Sequence, residues 1–204
     1  MVSLQDVTPA AGRGVSRQAV QQIAAAHGFT LEELEANRAG RIHARQVEAG
    51  ARRGRVDVRF GWIMLVLALA LLIAGAALAF FPRALKDLDF TFALPDKRGT
   101  VVATTLMGLT LAMLPFAFGV LALRHGRKVV AAYAAGRAER IEGPLQKGIV
   151  RGRRLPARPF YSIGQTSLWP MNNRGFEMLA VGAVHRAYYI NVARRNELLS
   201  IEPL

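Results

Sequence analysis

FGWIMLVLALALLIAGAALAFFP, residues 60–82, decides the fold. These 23 residues carry no charge and sit between Arg59 and Arg83. At 1.5 Å rise per residue, about 20 apolar residues cross a ~30 Å hydrocarbon core. A second run, GTVVATTLMGLTLAMLPFAFGVLAL (99–123), has 25 uncharged residues between Arg98 and Arg124. Neither shows the polar stripe of a soluble helix. Some 59 mostly polar residues precede the first run, unlike a cleaved signal peptide. The pattern predicts two transmembrane helices, 60–82 and 99–123, joined by a short external loop, 83–98.

Lys and Arg near the spans set the expected orientation. Residues 40–59 hold Arg41, Arg45, Arg52, Arg53, Arg55 and Arg59, and 124–140 hold Arg124, Arg127, Lys128, Arg137 and Arg140. The loop holds four, Arg83, Lys86, Lys97 and Arg98, diluted by Asp87, Asp89 and Asp96. Both flanks are richer than the loop, so both termini are expected in the cytoplasm, with the chain in the plasma (inner) membrane. Phe90 and Phe92 in the loop suit interfacial anchoring.

The remainder of the 204 residues is polar and basic, with a net charge of +13. Without cysteine, disulfides, thiolate metal sites and cysteine nucleophiles are excluded. Residues 1–59 read as a cytoplasmic helical region. Ser16 caps a helix to about His27, ended by Gly28. Thr30 with Glu33 forms a capping box that starts a second helix, which Gly40 stops. A third, roughly 42–53, leads to the first span. The second span continues as a helical extension, 124–137, before Gly136 breaks it.

Beyond lie five β-rich runs, ERIEGPLQKGIV, FYSIGQTSLW, GFEMLAV, AVHRAYYINVA and LLSIEPL, separated by turn residues. They predict a small antiparallel sheet or open barrel over 138–204. The expected fold class is therefore membrane α+β: a two-helix transmembrane hairpin, a short helical N-terminal region and a small antiparallel β C-terminal domain.

The segment NRAGRIHARQ (37–46), the two spans, and the tail AYYINVARRNELLSIEPL, closing on Leu198, Leu199, Ser200, Ile201 and Glu202, resemble a group of small bacterial two-span membrane proteins of unknown function. In that group a helical segment with an Asn-x-x-Gly turn precedes the spans and a β-rich tail follows. The resemblance implies this layout and brings no activity with it.

Candidate chemistry is sparse. LEELEANRAGRIHARQ (31–46) follows the rhythm of an EF-hand loop, with Glu35, Asn37, Gly40, Ile42 and Gln46 at ligand or turn positions. Calcium needs several carboxylates and a bidentate Glu at the last position. Ala39 and Gln46 do not supply them, and Arg38, Arg41 and Arg45 add positive charge. A helical hairpin burying Val20, Ile23, Leu31 and Leu34 is expected instead. Ala24, Gly28 and Leu34 have helix-turn-helix spacing, but Glu32, Glu33 and Glu35 would face phosphates, so no DNA binding is expected. His27, His43, His125 and His185 form no metal motif, and no phosphate loop or nucleophile elbow occurs. His185, Tyr188 or Tyr189, and Glu202 compose an acid–base set only if the fold assembles them. Neither a metal nor a cofactor is expected.

What remains are basic clusters and small residues. Arg52, Arg53, Arg55, Arg59, Arg124, Arg127 and Lys128 abut the spans and suit anionic lipid headgroups, at roughly 1 kcal/mol each. Arg151, Arg153, Arg154 and Arg158, with Lys147, lie further out as a candidate partner surface. Gly75 and Ala79 in the first span, and Thr104, Gly108 and Ala112 in the second, allow close helix packing, either within the hairpin or between protomers of a homo-oligomer. Pro115 is expected to kink the second span, with a nearby Thr serving the freed carbonyl.

The expected function is non-catalytic. The spans anchor a β domain that binds another membrane or cytoplasmic protein or supports complex assembly. The alternatives are a tethered enzyme or ligand sensor using a cavity of the β domain, and nucleic-acid binding through the basic loop 147–158.

Overall fold

A computed structural model describes residues 16–80, 97–151 and 157–204, the side chains of 78–80, 97–101, 103 and 104 excepted. The connecting loop with Phe90 and Phe92, and Arg153 and Arg154, lie outside the described residues, as do the side chains of Ala79 and Thr104. Four α-helices are described: α1 (Arg17–His27), α2 (Leu31–Arg38), α3 (Ala44–Phe80) and α4 (Lys97–Ala134). Five strands follow: β1 (Glu139–Val150), β2 (Arg158–Ile163), β3 (Thr166–Pro170), β4 (Val184–Val192) and β5 (Arg195–Pro203). They form two compact units. One combines 16–47 with 135–204, and the other spans 48–134. The described parts of the helical N-terminal region and of the β-rich segment thus fall in one compact unit.

The α3–α4 unit is inside-out relative to a soluble protein. Both helices are long and apolar enough to cross a membrane. Their large side chains point outward: Trp62, Ile63, Val66, Leu114, Phe118 and Leu121 are each more than half exposed. Small residues lie between the helices. A Cβ on Gly61 would stand 2.7 Å from Leu123 Cγ and 2.9 Å from the Gly119 carbonyl. One on Gly54 would meet Val130 at 2.7 Å, and one on Gly75 would meet the Gly108 Cα at 3.0 Å. Ala68 and Ala112, each 2% exposed, fall opposite one another in the same antiparallel register. Gly54, Gly61, Ala68 and Gly75 recur every seven residues on α3, and Ala112, Gly119 and Gly126 do so on α4. This 3.5-residue period keeps one narrow face of each helix against the other. Gly108 and Ala112 of the expected rows therefore pack within the hairpin, while Gly54, Gly61, Gly119 and Gly126 extend the row beyond them. Pro115 lies inside α4. The Thr110 hydroxyl donates to the Leu106 carbonyl at 2.8 Å, so it does not serve the carbonyl one turn before the proline.

In the other unit, the five strands close into a barrel in the order β1-β2-β3-β5-β4. The sheet is mixed rather than antiparallel, because β3 and β5 run parallel, Leu168 opposite Asn196. The expected strand GFEMLAV is instead mostly a 3-10 helix, Asn173–Met178, started by the Asn172 side chain accepting from the Arg174 amide. That segment carries the chain away from β3, so the β4–β5 hairpin returns with β5 parallel to β3. The hairpin turn places Ala193 and Arg194 at φ 49° and 74°. Both central residues of a two-residue turn need positive φ to match strand twist, and Gly or Asn usually supplies it. The barrel interior holds Leu145, Tyr161, Ile163, Leu168, Ala187 and Ile201, each at most 1% exposed.

Candidate interaction site

The helical head docks on the outside of β5. Ser16 and Thr30 cap α1 and α2 as expected, the latter in a full capping box with Glu33. Gly40, at φ 72°, ends the turn after α2, where the Arg41 amide reaches back to the Ala36 carbonyl. Val20, Ala24, Phe29 and Leu34 join the barrel core, with Ile23 and Leu31 packed at its margin. The head thus buries its apolar face on the barrel, not on itself. This explains why Leu198, Leu199, Ser200, Ile201 and Glu202 are all buried: β5 is covered by the core on one face and by helices on the other.

Polar side chains from the Asn-x-x-Gly segment fasten that contact. Asn37 Nδ2 donates to Ser200 Oγ at 2.8 Å. Gln46 Nε2 donates to the Leu199 carbonyl at 3.2 Å. The Arg38 guanidinium grips both Glu202 oxygens. Tyr188 donates its hydroxyl to Glu202 at 2.9 Å, and Arg186 bridges Glu142 at 2.7 Å and Glu202 at 3.7 Å. Beside them the Ile42 amide donates to the Gly136 carbonyl and the Ala138 amide to the Gly40 carbonyl, each at 3.0 Å, so the two chain segments pair directly. The EF-hand rhythm is thereby accounted for. Asn37 and Gln46 hold the barrel, and no cluster of three metal-ligating side chains occurs among the described residues. Arg38 of the head pairs with Glu202 of the barrel, while Glu33 caps α2 and pairs with Arg45 at 2.9 Å.

On the other side of the head, His27 Nδ1 lies 3.0 Å from the Ile23 carbonyl and its Nε2 lies 2.9 Å from the Tyr161 hydroxyl. The Nδ1–H tautomer satisfies both, since the carbonyl can only accept. Burial lowers the His27 pKa, against the Ile23 carbonyl, and the Lys147 charge lowers it further. Burial also raises Tyr161, which stays a donor.

For Glu202, burial favours the neutral acid. The hydrogen bonds from Arg38 and Tyr188 and the charges of Arg38 and Arg186 outweigh it, and hold the carboxyl below its ordinary range. Both shifts have the same sign for docking. A depressed pKa means the undocked state binds more protons, so stability is present above the ordinary pKa and lost as pH falls through the lowered one. Protection of α1 and α2 amides from hydrogen exchange is expected to be flat above about pH 7. It should fall once below the ordinary histidine value of 6.5 and again below the ordinary glutamate value of 4.5. His27→Gln, which can still donate and accept, should remove only the upper step.

His185 does not join an acid–base set. It is 2% exposed, and its Nδ1 lies 2.9 Å from the Ala183 carbonyl. Glu202 and Tyr188 are instead engaged with Arg38. A cleft of about 10 Å³, room for one water, is lined by His27, Phe29, Met171 and Asn172, among others, and by neither His185 nor Glu202. The helix-turn-helix residues Ala24 and Leu34 are buried in the barrel contact.

The basic residues occupy exposed positions. Arg52, Arg53, Arg55 and Arg59 lie on α3, and Arg124, Arg127 and Lys128 lie on α4. The packing of Gly54 beside Gly126 sets both groups at the same level of the hairpin. Arg151 and Arg158 are exposed at the ends of β1 and β2.

The fold and contact define a single α/β-barrel module, assembled from the two segments that flank a pair of long apolar helices. No family model, no curated protein and no solved structure matches the chain.

Proposed function

We propose that the protein is an integral membrane protein of the plasma or inner membrane. Its two-span hairpin anchors a non-catalytic cytoplasmic module that binds a partner or supports assembly of a complex. One observation carries this reading. The segments before α3 and after α4 fold into one unit, through Arg38–Glu202, Asn37–Ser200 and the Gly40–Ala138 pairing. Two spans joined by a short loop suit that arrangement, since it needs both flanks on one side. The lipid role of the basic residues at α3 and α4 rests on their exposure at one level, where snorkelling Arg and Lys reach headgroups. A non-catalytic role is supported by the internal bonding of the module's titratable groups. Glu202 bonds Arg38 and Tyr188, and His27 bonds Tyr161.

The test uses the absence of native cysteine. Single substitutions Gln21→Cys, Phe90→Cys and Met178→Cys are treated with an impermeant maleimide on intact cells. Gln21 and Met178 are exposed positions of the module. Only Phe90→Cys should label from outside. Labelling of Gln21→Cys without Met178→Cys would refute a common side, and labelling of both would invert the orientation. Turnover of a defined substrate that is lost on His185→Ala would replace the binding role with an enzyme.

A further inference from the structure

A second surface of the barrel is unused by the head. On β2, Tyr161 and Ile163 enter the core, so Arg158, Phe160 and Ser162 alternate outward. Leu168 enters the core from β3, which turns Trp169 out beside Phe160, with ring centroids 5.4 Å apart. The Arg195 guanidinium of β5 lies over the Trp169 ring, 5.4 Å from its centroid. Gly148 of β1 stands opposite Phe160, and any Cβ there would enter the ring. Both rings are half-buried, and Arg151, Arg158 and Arg195 are exposed around them. Glu197 pairs with Trp169 in the β3–β5 register and forms the acidic end of the strip.

We propose that this strip binds single-stranded nucleic acid. Bases stack on Phe160 and on the Arg195–Trp169 pair, and Arg151 and Arg158 hold phosphates. This rests on the reading of the unit as a binding module and names its partner class. Three features select that class. Every strand of the closed barrel has a neighbour on both sides, and the stretches paired on one side only, such as the two halves of β1, are about six residues long, which disfavours a peptide adding as a further strand. Neighbouring aromatic rings with a guanidinium give flat faces that accept any unstacked base, which paired bases in a duplex do not offer. Arginine forks match phosphate oxygens, and the chain's charge of +13 favours a polyanion.

The test uses the full chain in nanodiscs of zwitterionic lipid, with Trp62→Phe so that Trp169 is the sole tryptophan. Fluorescein-labelled oligo-dT and oligo-U of about 12 nucleotides are the probes. Binding should quench Trp169 and weaken log-linearly with salt. Phe160→Leu and Trp169→Leu should each weaken it roughly tenfold or more, and Arg158→Gln should lower the salt slope by about one. If the leucine variants unfold, Arg195→Gln at the surface keeps the test, with a loss of several-fold expected. No binding at about 50 mM salt, equal binding of duplex, or indifference to the aromatic substitutions overturns the proposal. Displacement by polyglutamate as effective as by oligo-dT assigns the strip to an acidic peptide instead. Loss of nucleic-acid binding beside intact crosslinking to a membrane protein would remove this partner and leave the module reading standing.

Discussion

Gly61→Leu is expected to force α3 and α4 apart. The first added carbon meets Leu123 Cγ at 2.7 Å and the Gly119 carbonyl at 2.9 Å, and the second contact is backbone that cannot rotate away. Relief requires separating the helices, which loses packing along the whole small-residue row. Overpacking of a tight contact costs typically 1–3 kcal/mol, and a backbone contact lies at or above the upper end, so about 3 kcal/mol is expected. The readout is a disulfide between Ala68→Cys and Ala112→Cys, opposed in the same register. It should form readily in the parent and fall sharply with Gly61→Leu. Ile63→Ala, on the outward face at 61% exposure, should leave the yield unchanged. An undiminished crosslink in Gly61→Leu would show that the row does not hold the hairpin.

Glu202→Ala should unfasten the helical head. The substitution leaves the buried Tyr188 hydroxyl without its acceptor and frees Arg38. Breaking a fully buried pair costs about 3–5 kcal/mol. The Arg38 side chain is 47% exposed and regains water, so about 2 kcal/mol is a better expectation. That corresponds to roughly 30-fold more frequent opening of α2, read as faster hydrogen exchange and faster tryptic cleavage after Arg38. The barrel should keep more protection than the head, because Leu145, Ile163, Leu168, Ala187 and Ile201 are buried among its own strands. Equal loss across β1–β5 would show that head and barrel unfold together and that Glu202 is part of the common core.

Much of the secondary structure was legible in local patterns. The capping box at Thr30, the stop at Gly40 and the run Glu139–Val150 are local chemistry, and each appears as expected. GFEMLAV misled because its apolar residues suit a strand, while the Asn172 cap and Gly175 favour a tight turn of 3-10 helix. The seven-residue row on α3 and α4 was written in the sequence, but a search of the uncharged runs alone misses Gly54 and Gly126, which lie among the arginines.

The candidate sites were less legible. Arg38 and Glu202 are 164 residues apart, and Asn37 and Ser200 are 163 apart. Nothing in either local pattern announces the other. Phe160, Trp169 and Arg195 come from three strands, and only the barrel register sets them side by side.

The sequence by itself determined two helices apolar and long enough to cross a membrane, the starts and stops of α1 and α2, and most of the strands, whereas the expected helix 42–53 and the first span form one helix, α3. These follow from hydrophobic length, period and turn residues, all of which act within a few residues. The tertiary structure alone decided that the barrel closes through a parallel β3–β5 pair, that the flanks of the hairpin form one module, and that an apparent metal loop is the fastening between them. The β3–β5 pair joins residues 28 apart and the head–barrel contact joins residues more than a hundred apart, where burial of Leu34 of α2 and Glu202 of β5, and not any local preference, selects the partner.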